Sequence, residues 1–214
     1  LMEERIDIRG RIYRFARPAD LETLWEQLDE DDFCGDDRLP YWVEIWPAAI
    51  FLARWISANK DRLSNAWCLD LGCGLGLSTC VASEFTDKAL GLDYEFSALS
   101  YALHNARRNS CESANWTLMD WRRPALKPGS FEYIWGADIL YEARFFPPLS
   151  ALFQEVLTPG GTVWLSTPFR QVSEPFWDLL KTAGWGISLQ GRESIAYKTC
   201  QMEVFLWELT RKPL

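Results

Sequence analysis

Near the start of the chain, Ile6 and Ile8 alternate with charged neighbours, Gly10 interrupts, and Ile12 resumes the alternation. That two-residue period predicts a small hairpin. Residues 21–28 follow a helical period and predict a short amphipathic helix, with an acidic loop over 29–37 behind it. From Trp46 the pattern changes. Pro47 suits the first position of a helix, and Ile50, Leu52, Ala53, Trp55 and Ile56 make that helix mostly apolar. Beyond it, apolar strands alternate with amphipathic helices. Strands are expected at 66–71, 89–93, 116–119, 131–137 and 162–166, and helices at 77–84, 97–108, 145–157 and 174–183. Two last strands, 186–189 and 203–209, follow each other with no helix between them. Strands separated by helices form parallel units covered on both faces, whereas the final two should pair antiparallel. The pattern is that of an α/β sandwich of about seven strands.

Composition narrows the class. The 214 residues suffice for one large domain, and 48% hydrophobic with 24% charged residues is a soluble globular balance. With 22 Lys and Arg against 30 Asp and Glu the net charge is −8, which argues against a phosphate-binding surface and suits a cationic partner such as a lysine-bearing protein. No apolar run approaches the roughly 18 residues that span a bilayer, and the first ten residues hold no apolar signal core. The six cysteines show no metal-binding spacing and His104 is the one histidine. The expectation is a cytoplasmic protein with reduced thiols, no metal, no membrane and no nucleic acid.

The segment Asp70-Leu71-Gly72-Cys73-Gly74-Leu75-Gly76 places an acid and three glycines where a strand turns into a helix. Glycines there let the backbone approach a ligand, and the following helix aims free N–H groups at the same point. The dinucleotide fingerprint would need a small residue at Leu77, and the phosphate loop would need Lys-Ser or Lys-Thr. Neither is present. An acid ahead of the first glycine repels a pyrophosphate and attracts a cationic amino group. Asp93 ends the next strand, 21 positions after Gly72, where a carboxylate can accept hydrogen bonds from both hydroxyls of a ribose. The plain alternative is an acid at a helix N-terminus. Asp120-Trp121 follows the third strand of the series, so that the carboxylate could hold an adenine amino group and the indole pack on its ring. A surface Asp beside a core Trp would look the same.

The motif Asp-x-Gly-x-Gly-x-Gly resembles that of class I methyltransferases that use S-adenosyl-L-methionine. Taken with Tyr41-Trp42-Val43-Glu44-Ile45-Trp46-Pro47-Ala48-Ala49, Asp120-Trp121 and Ala137-Asp138-Ile139-Leu140-Tyr141-Glu142, the chain resembles the methyltransferase-16 family over roughly residues 40–170. These are seven-β-strand enzymes that include many protein-lysine methyltransferases. The resemblance implies a Rossmann-like, seven-stranded, mostly parallel sheet with an antiparallel C-terminal strand and helices on both faces. A hairpin-and-helix extension (1–40) would pack on the catalytic domain (41–214). It implies that Trp46 packs beside the cofactor, that Gly72, Gly74 and Asp93 hold its methionine and ribose ends, and that Asp120 and Trp121 frame the adenine; by charge, Asp70 would draw the amino group of the methionine moiety, directly or through water. Ala137 would place its backbone near the sulfonium, with Asp138 and Tyr141 at the acceptor entrance. The product would be S-adenosyl-L-homocysteine.

Methyl transfer is an in-line displacement that rests mainly on orientation and water exclusion. Asp138 and Tyr141 could position an amine by hydrogen bonds, or Asp138 could simply cap a helix. Of the twelve tryptophans, Trp55, Trp67, Trp135, Trp164 and Trp207 read as core, while Trp42, Trp46 and Trp121 fall nearest the mouth. Three functions stay open: a protein-lysine methyltransferase, a small-molecule N- or O-methyltransferase, and a non-catalytic cofactor-binding interaction module. The segment Phe169-Arg170-Gln171 carries no recognisable substrate signature.

Overall fold

The computed structural model describes residues 2–26 and 40–211. Its first element is the expected hairpin, β1 (Met2–Ile8) and β2 (Arg11–Arg17), which turns at Arg9-Gly10 and buries Ile6, Ile8, Tyr13 and Phe15. The short helix α1 (Leu21–Trp25) follows, capped by Asp20, whose carboxylate accepts the Thr23 N–H at 2.7 Å. Residues 27–28 of the expected helix and the acidic loop 29–37 lie outside the described residues.

Seven strands form one sheet: β3 (Cys68–Leu71), β4 (Ala89–Asp93), β5 (Asn115–Leu118), β6 (Phe131–Ala137), β7 (Leu157–Pro168), β8 (Trp185–Tyr197) and β9 (Cys200–Arg211). Their order is β5-β4-β3-β6-β7-β9-β8, with β3 to β7 parallel and β9 antiparallel to both its neighbours. The helices are α2 (Pro47–Ala58), α3 (Leu77–Ala82), α4 (Phe96–Arg108), α5 (Phe146–Val156) and α6 (Glu174–Thr182). Successive strand residues serve opposite faces. Cys68, Trp135 and Trp164 pack with the hairpin, α2 and α3, whereas Leu69, Leu71, Ile134, Val163 and Leu165 pack with α5 and α6. The expected seven-stranded, mostly parallel sheet with helices on both faces is therefore present.

The structure extends the last strands well past the sequence reading. Both β8 and β9 continue to a shared tight turn at Lys198, with a register shift between Leu189 and Gly191. An edge strand such as β8 needs little apolar surface, so its polar residues around Gln190 gave no strand signal. Trp67, expected in the core, is 46% exposed just before β3.

Two asparagines on α4 stand in for a strand beside β2. Asn105 accepts the Ala16 N–H at 2.8 Å and donates to the Ala16 carbonyl at 3.1 Å, and Asn109 does the same for Arg14 at 2.8 and 2.9 Å. Residues four apart on a helix rise about 6 Å, close to the about 6.7 Å between alternate strand residues, so the two side chains match the strand's repeat. The Asn105 amide also donates to Leu75 O at 3.3 Å, which ties the hairpin to the glycine loop. Because Asn105 is fully buried, Asn105→Ala strands backbone groups of Ala16 and Leu75. The expected cost is about 2 kcal/mol or more, read as a lower urea midpoint with an unchanged slope.

Candidate active site

The sheet order itself makes the crevice. β4 and β5 lie on one side of β3 and β6 on the other, so the connections leaving β3 and β6 diverge at their carboxyl ends. A cleft of about 810 Å³, counted with its solvent-open part, lies there. It is walled by the 41–46 segment, the glycine loop, the end of β4, Trp121, the end of β6 and Tyr141.

Beneath the glycine loop, one oxygen of Asp70 accepts hydrogen bonds from Ser78 Oγ and Thr79 Oγ1, both at 2.6 Å. Burial pushes this carboxyl up to about 6, with the two hydroxyls pulling the other way. Asp70 thus fastens the first turn of α3 to β3 and is not part of the cleft wall. Gly76 closes the loop at φ +91°, where a Cβ would come 2.7 Å from the Trp116 indole. Gly74, at φ +51°, has the Trp42 carbonyl 3.5 Å from its missing Cβ, so the 41–46 segment lies directly on the loop.

Asp93 lines the cleft with both oxygens in use. Oδ2 accepts the Gly74 N–H at 2.9 Å and Oδ1 the Glu95 N–H at 3.0 Å. Burial raises its carboxyl above the usual range, and the backbone donors partly offset this. Trp46, also in the wall, donates its indole N–H to Tyr41 O at 2.9 Å and meets Tyr197 at a centroid distance of 5.3 Å. The turn between β8 and β9 therefore reaches the outer side of Trp46. Trp121 packs edge-on against Phe145 at 5.5 Å, and a Cβ on Gly72 would come 3.2 Å from its ring.

The end of β6 carries the remaining groups. Ala137 lines the cleft. Asp138 adopts a left-handed φ of +54°, which Asp tolerates better than most residues, and donates its N–H to Ser166 O at 2.8 Å. Its carboxylate takes a two-pronged contact from Arg170, Nε to Oδ1 at 3.1 Å and Nη2 to Oδ2 at 2.8 Å. Tyr141 packs on Tyr41 at 5.4 Å. Burial, then the neighbouring Tyr94, Glu142, Asp93 and Tyr41, raise its phenol far above the ordinary value, so it stays protonated at neutral pH.

Eight of the ten residues singled out from the sequence, namely Trp46, Gly72, Gly74, Asp93, Trp121, Ala137, Asp138 and Tyr141, meet in this one cleft. Asp120 does not line it. Its carboxylate accepts the Arg122 N–H at 2.8 Å and the Arg122 Nε at 2.8 and 3.0 Å, closing a local turn. Arg170, Tyr94 and Tyr197 were not foreseen. Among the described residues, no group of three or more His, Cys, Asp or Glu side chains could hold a metal ion, and no helix is long and apolar enough to cross a membrane.

Residues 41–182 match the family profile described as lysine methyltransferase. The chain belongs to that family. This methyltransferase is 26% identical over 144 residues to the protein N-lysine methyltransferase METTL21A of Xenopus tropicalis, covering 64% of this chain and 66% of the relative. It is 25% identical over 174 residues to EEF1A lysine methyltransferase 3 of the same organism, covering 72% and 75%. Its fold matches the magnesium protoporphyrin IX methyltransferase of Synechocystis, solved with bound S-adenosylmethionine, at a TM-score of 0.59 and 16% identity, covering 91% of this chain and 99% of that one. The methyltransferase is accordingly an enzyme of the S-adenosylmethionine-dependent class.

Proposed function

We propose that the enzyme methylates the ε-amine of a lysine side chain on a protein. The wall of the cleft carries this reading. It contains Glu44, Asp93, Glu95 and Asp138 and no lysine or arginine of its own; Arg17 pairs with Glu44 and Arg170 with Asp138, and the acidic excess left after those two pairs favours a cationic cofactor and acceptor. The lysine-specific relatives support the same acceptor.

The residues fit S-adenosylmethionine. The lone pairs that Asp93 has left beyond the Gly74 and Glu95 N–H groups would accept the ribose hydroxyls. Gly72 and Gly74 would present backbone without side chains to the methionine portion, Trp46 and Trp121 would close the apolar walls, and Ala137 would offer its backbone to the sulfur end. When bound, the cofactor supplies an electrophilic methyl on a cationic sulfur and leaves as S-adenosylhomocysteine. The enzyme's own groups then orient the amine. Asp138 holds the incoming ammonium by its carboxylate, which Arg170 fixes through both oxygens; the ammonium releases a proton to solvent, and the neutral amine then attacks the methyl as the carbon–sulfur bond breaks. Tyr141, neutral, donates or accepts a hydrogen bond and does not act as a base at neutral pH. Tyr41, Trp46 and Tyr141 exclude water around the acceptor nitrogen.

Residues 1–40 serve in this reading as an extension that braces the glycine loop through Asn105, and 41–214 as the catalytic domain. The setting is a reducing, cytoplasmic one, which suits the buried free thiols of Cys68, Cys73, Cys80 and Cys111.

A pH dependence follows from Asp93. Its carboxyl is raised by burial, and only the ionised form offers the ribose full acceptor capacity, so protonation competes with binding. S-adenosylmethionine affinity is expected to weaken as pH falls, starting above the range in which an ordinary aspartate titrates, with a flatter profile in Asp93→Asn, as measured by calorimetry. The acceptor is tested by incubating the enzyme with S-adenosylmethionine and a cofactor-stripped cell extract, then mapping peptides by mass spectrometry. A methylated lysine absent from the enzyme-free control supports the reading. Protein unmodified while a small metabolite is methylated overturns it.

A further inference from the structure

We infer that Phe96 and Phe169 form the two ends of a docking rim for the acceptor protein, one whose lysine lies on a basic face between two apolar contacts. The inference rests on the protein-lysine reading and adds to it the surface that selects the partner.

Phe169 is 74% exposed and Phe96 is 71% exposed, the two highest values among the large apolar side chains described. Single exposed hydrophobes are ordinary, but these two share an edge. Phe96 opens α4 directly after Tyr94 and Glu95, which line the cleft. Phe169 follows β7 and directly precedes Arg170, whose guanidinium is bound to Asp138 in the cleft wall. Val172, 41% exposed, continues the apolar strip beyond Arg170. Both phenylalanines thus stand at carboxyl ends of parallel strands, on opposite sides of the mouth.

The spacing decides the kind of occupant. From β4 to β7 there are three strand intervals, about 14 Å. A small acceptor held inside the cleft cannot touch both ends of that span, whereas a protein surface presenting one lysine can. Charge gives the partner's sign. The cleft between the two rings is walled by four acids; Glu44 pairs with Arg17 and Asp138 with Arg170, which leaves Asp93 and Glu95 as the acidic excess, on a chain of net charge −8. Exposed aromatic rings of this kind, phenylalanine included, supply large apolar contact area and are enriched in protein contacts.

The test compares wild type with Phe96→Ala, Phe169→Ala and the double variant. The readouts are S-adenosylmethionine affinity and the initial rate at which methyl label from S-adenosylmethionine enters acid-precipitated protein of a cofactor-stripped cell extract. At limiting extract the double variant is expected to be slower by about tenfold or more, with each single variant intermediate, and to approach the wild-type rate as extract is raised. Cofactor affinity should match wild type. Protein labelling by the double variant at the wild-type rate overturns the rim and leaves the lysine reading standing. A weakened cofactor affinity assigns the phenylalanines to the cofactor site and overturns the docking role. Wild-type label found only in soluble metabolites overturns the acceptor reading and the rim together.

Discussion

Replacing Asp138 is expected to lower methyl transfer by about a hundredfold or more while S-adenosylmethionine affinity stays within about twofold. The carboxylate stands at the end of β6 on the cleft wall, and Arg170, which donates to both its oxygens, comes from beyond the neighbouring strand β7. It makes no hydrogen bond to the glycine loop or to Asp93, so removing it leaves the cofactor end of the cleft intact. Asp138→Asn is the cleaner variant, since asparagine also tolerates the left-handed φ of +54° and keeps the volume while removing the charge. Arg170→Ala separates positioning from contact. It should lower kcat less than Asp138→Asn does, and Arg170→Lys should restore little, because an ammonium cannot reproduce the two-pronged geometry. Steady-state rates with parallel calorimetry read all three. Lost cofactor affinity in a folded Asp138→Asn would make Asp138 a cofactor ligand instead.

Asp93→Ala is expected to weaken S-adenosylmethionine binding by about tenfold or more, equivalent to about 1.4 kcal/mol or above. Two losses combine in this variant. The ribose loses its acceptor, and the N–H groups of Gly74 and Glu95 lose the oxygens that hold the loop against the end of β4. Asp93→Asn should be intermediate, because its amide oxygen can keep one of those contacts while the charge is gone. Calorimetry giving unchanged affinity for Asp93→Ala would remove the residue from the ribose site.

The elements easiest to read in the sequence were those with the plainest pattern. Residues 89–93 and 131–137 are short apolar runs bounded by turns, and β4 and β6 occupy those same residues. The long β8–β9 hairpin was only half visible, because pairing along a sheet edge is carried by backbone and leaves the side chains free to be polar. Within the site, spacing identified the loop without telling which face of it each carboxylate serves. Asp93 ends β4 and Asp70 is the last residue but one of β3, each two residues from a glycine. Asp70 turns under the loop to the hydroxyls of Ser78 and Thr79, whereas Asp93 stands on its rim. Asp120 was placed by position alone, and the structure adds that Arg122, two residues on, pairs with its carboxylate. Arg170 and Tyr197 could not be found from spacing, since sheet topology brings β7 and the β8–β9 turn to the cleft across long stretches of sequence.

The central claim, a protein acceptor, is tested most directly by incubating the enzyme with methyl-labelled S-adenosylmethionine and a cofactor-stripped cell extract, then separating precipitated protein from soluble metabolites. A discrete labelled protein band, absent from the Asp138→Asn reaction, is the expected result. Label confined to the soluble fraction would contradict the account and make this a small-molecule methyltransferase.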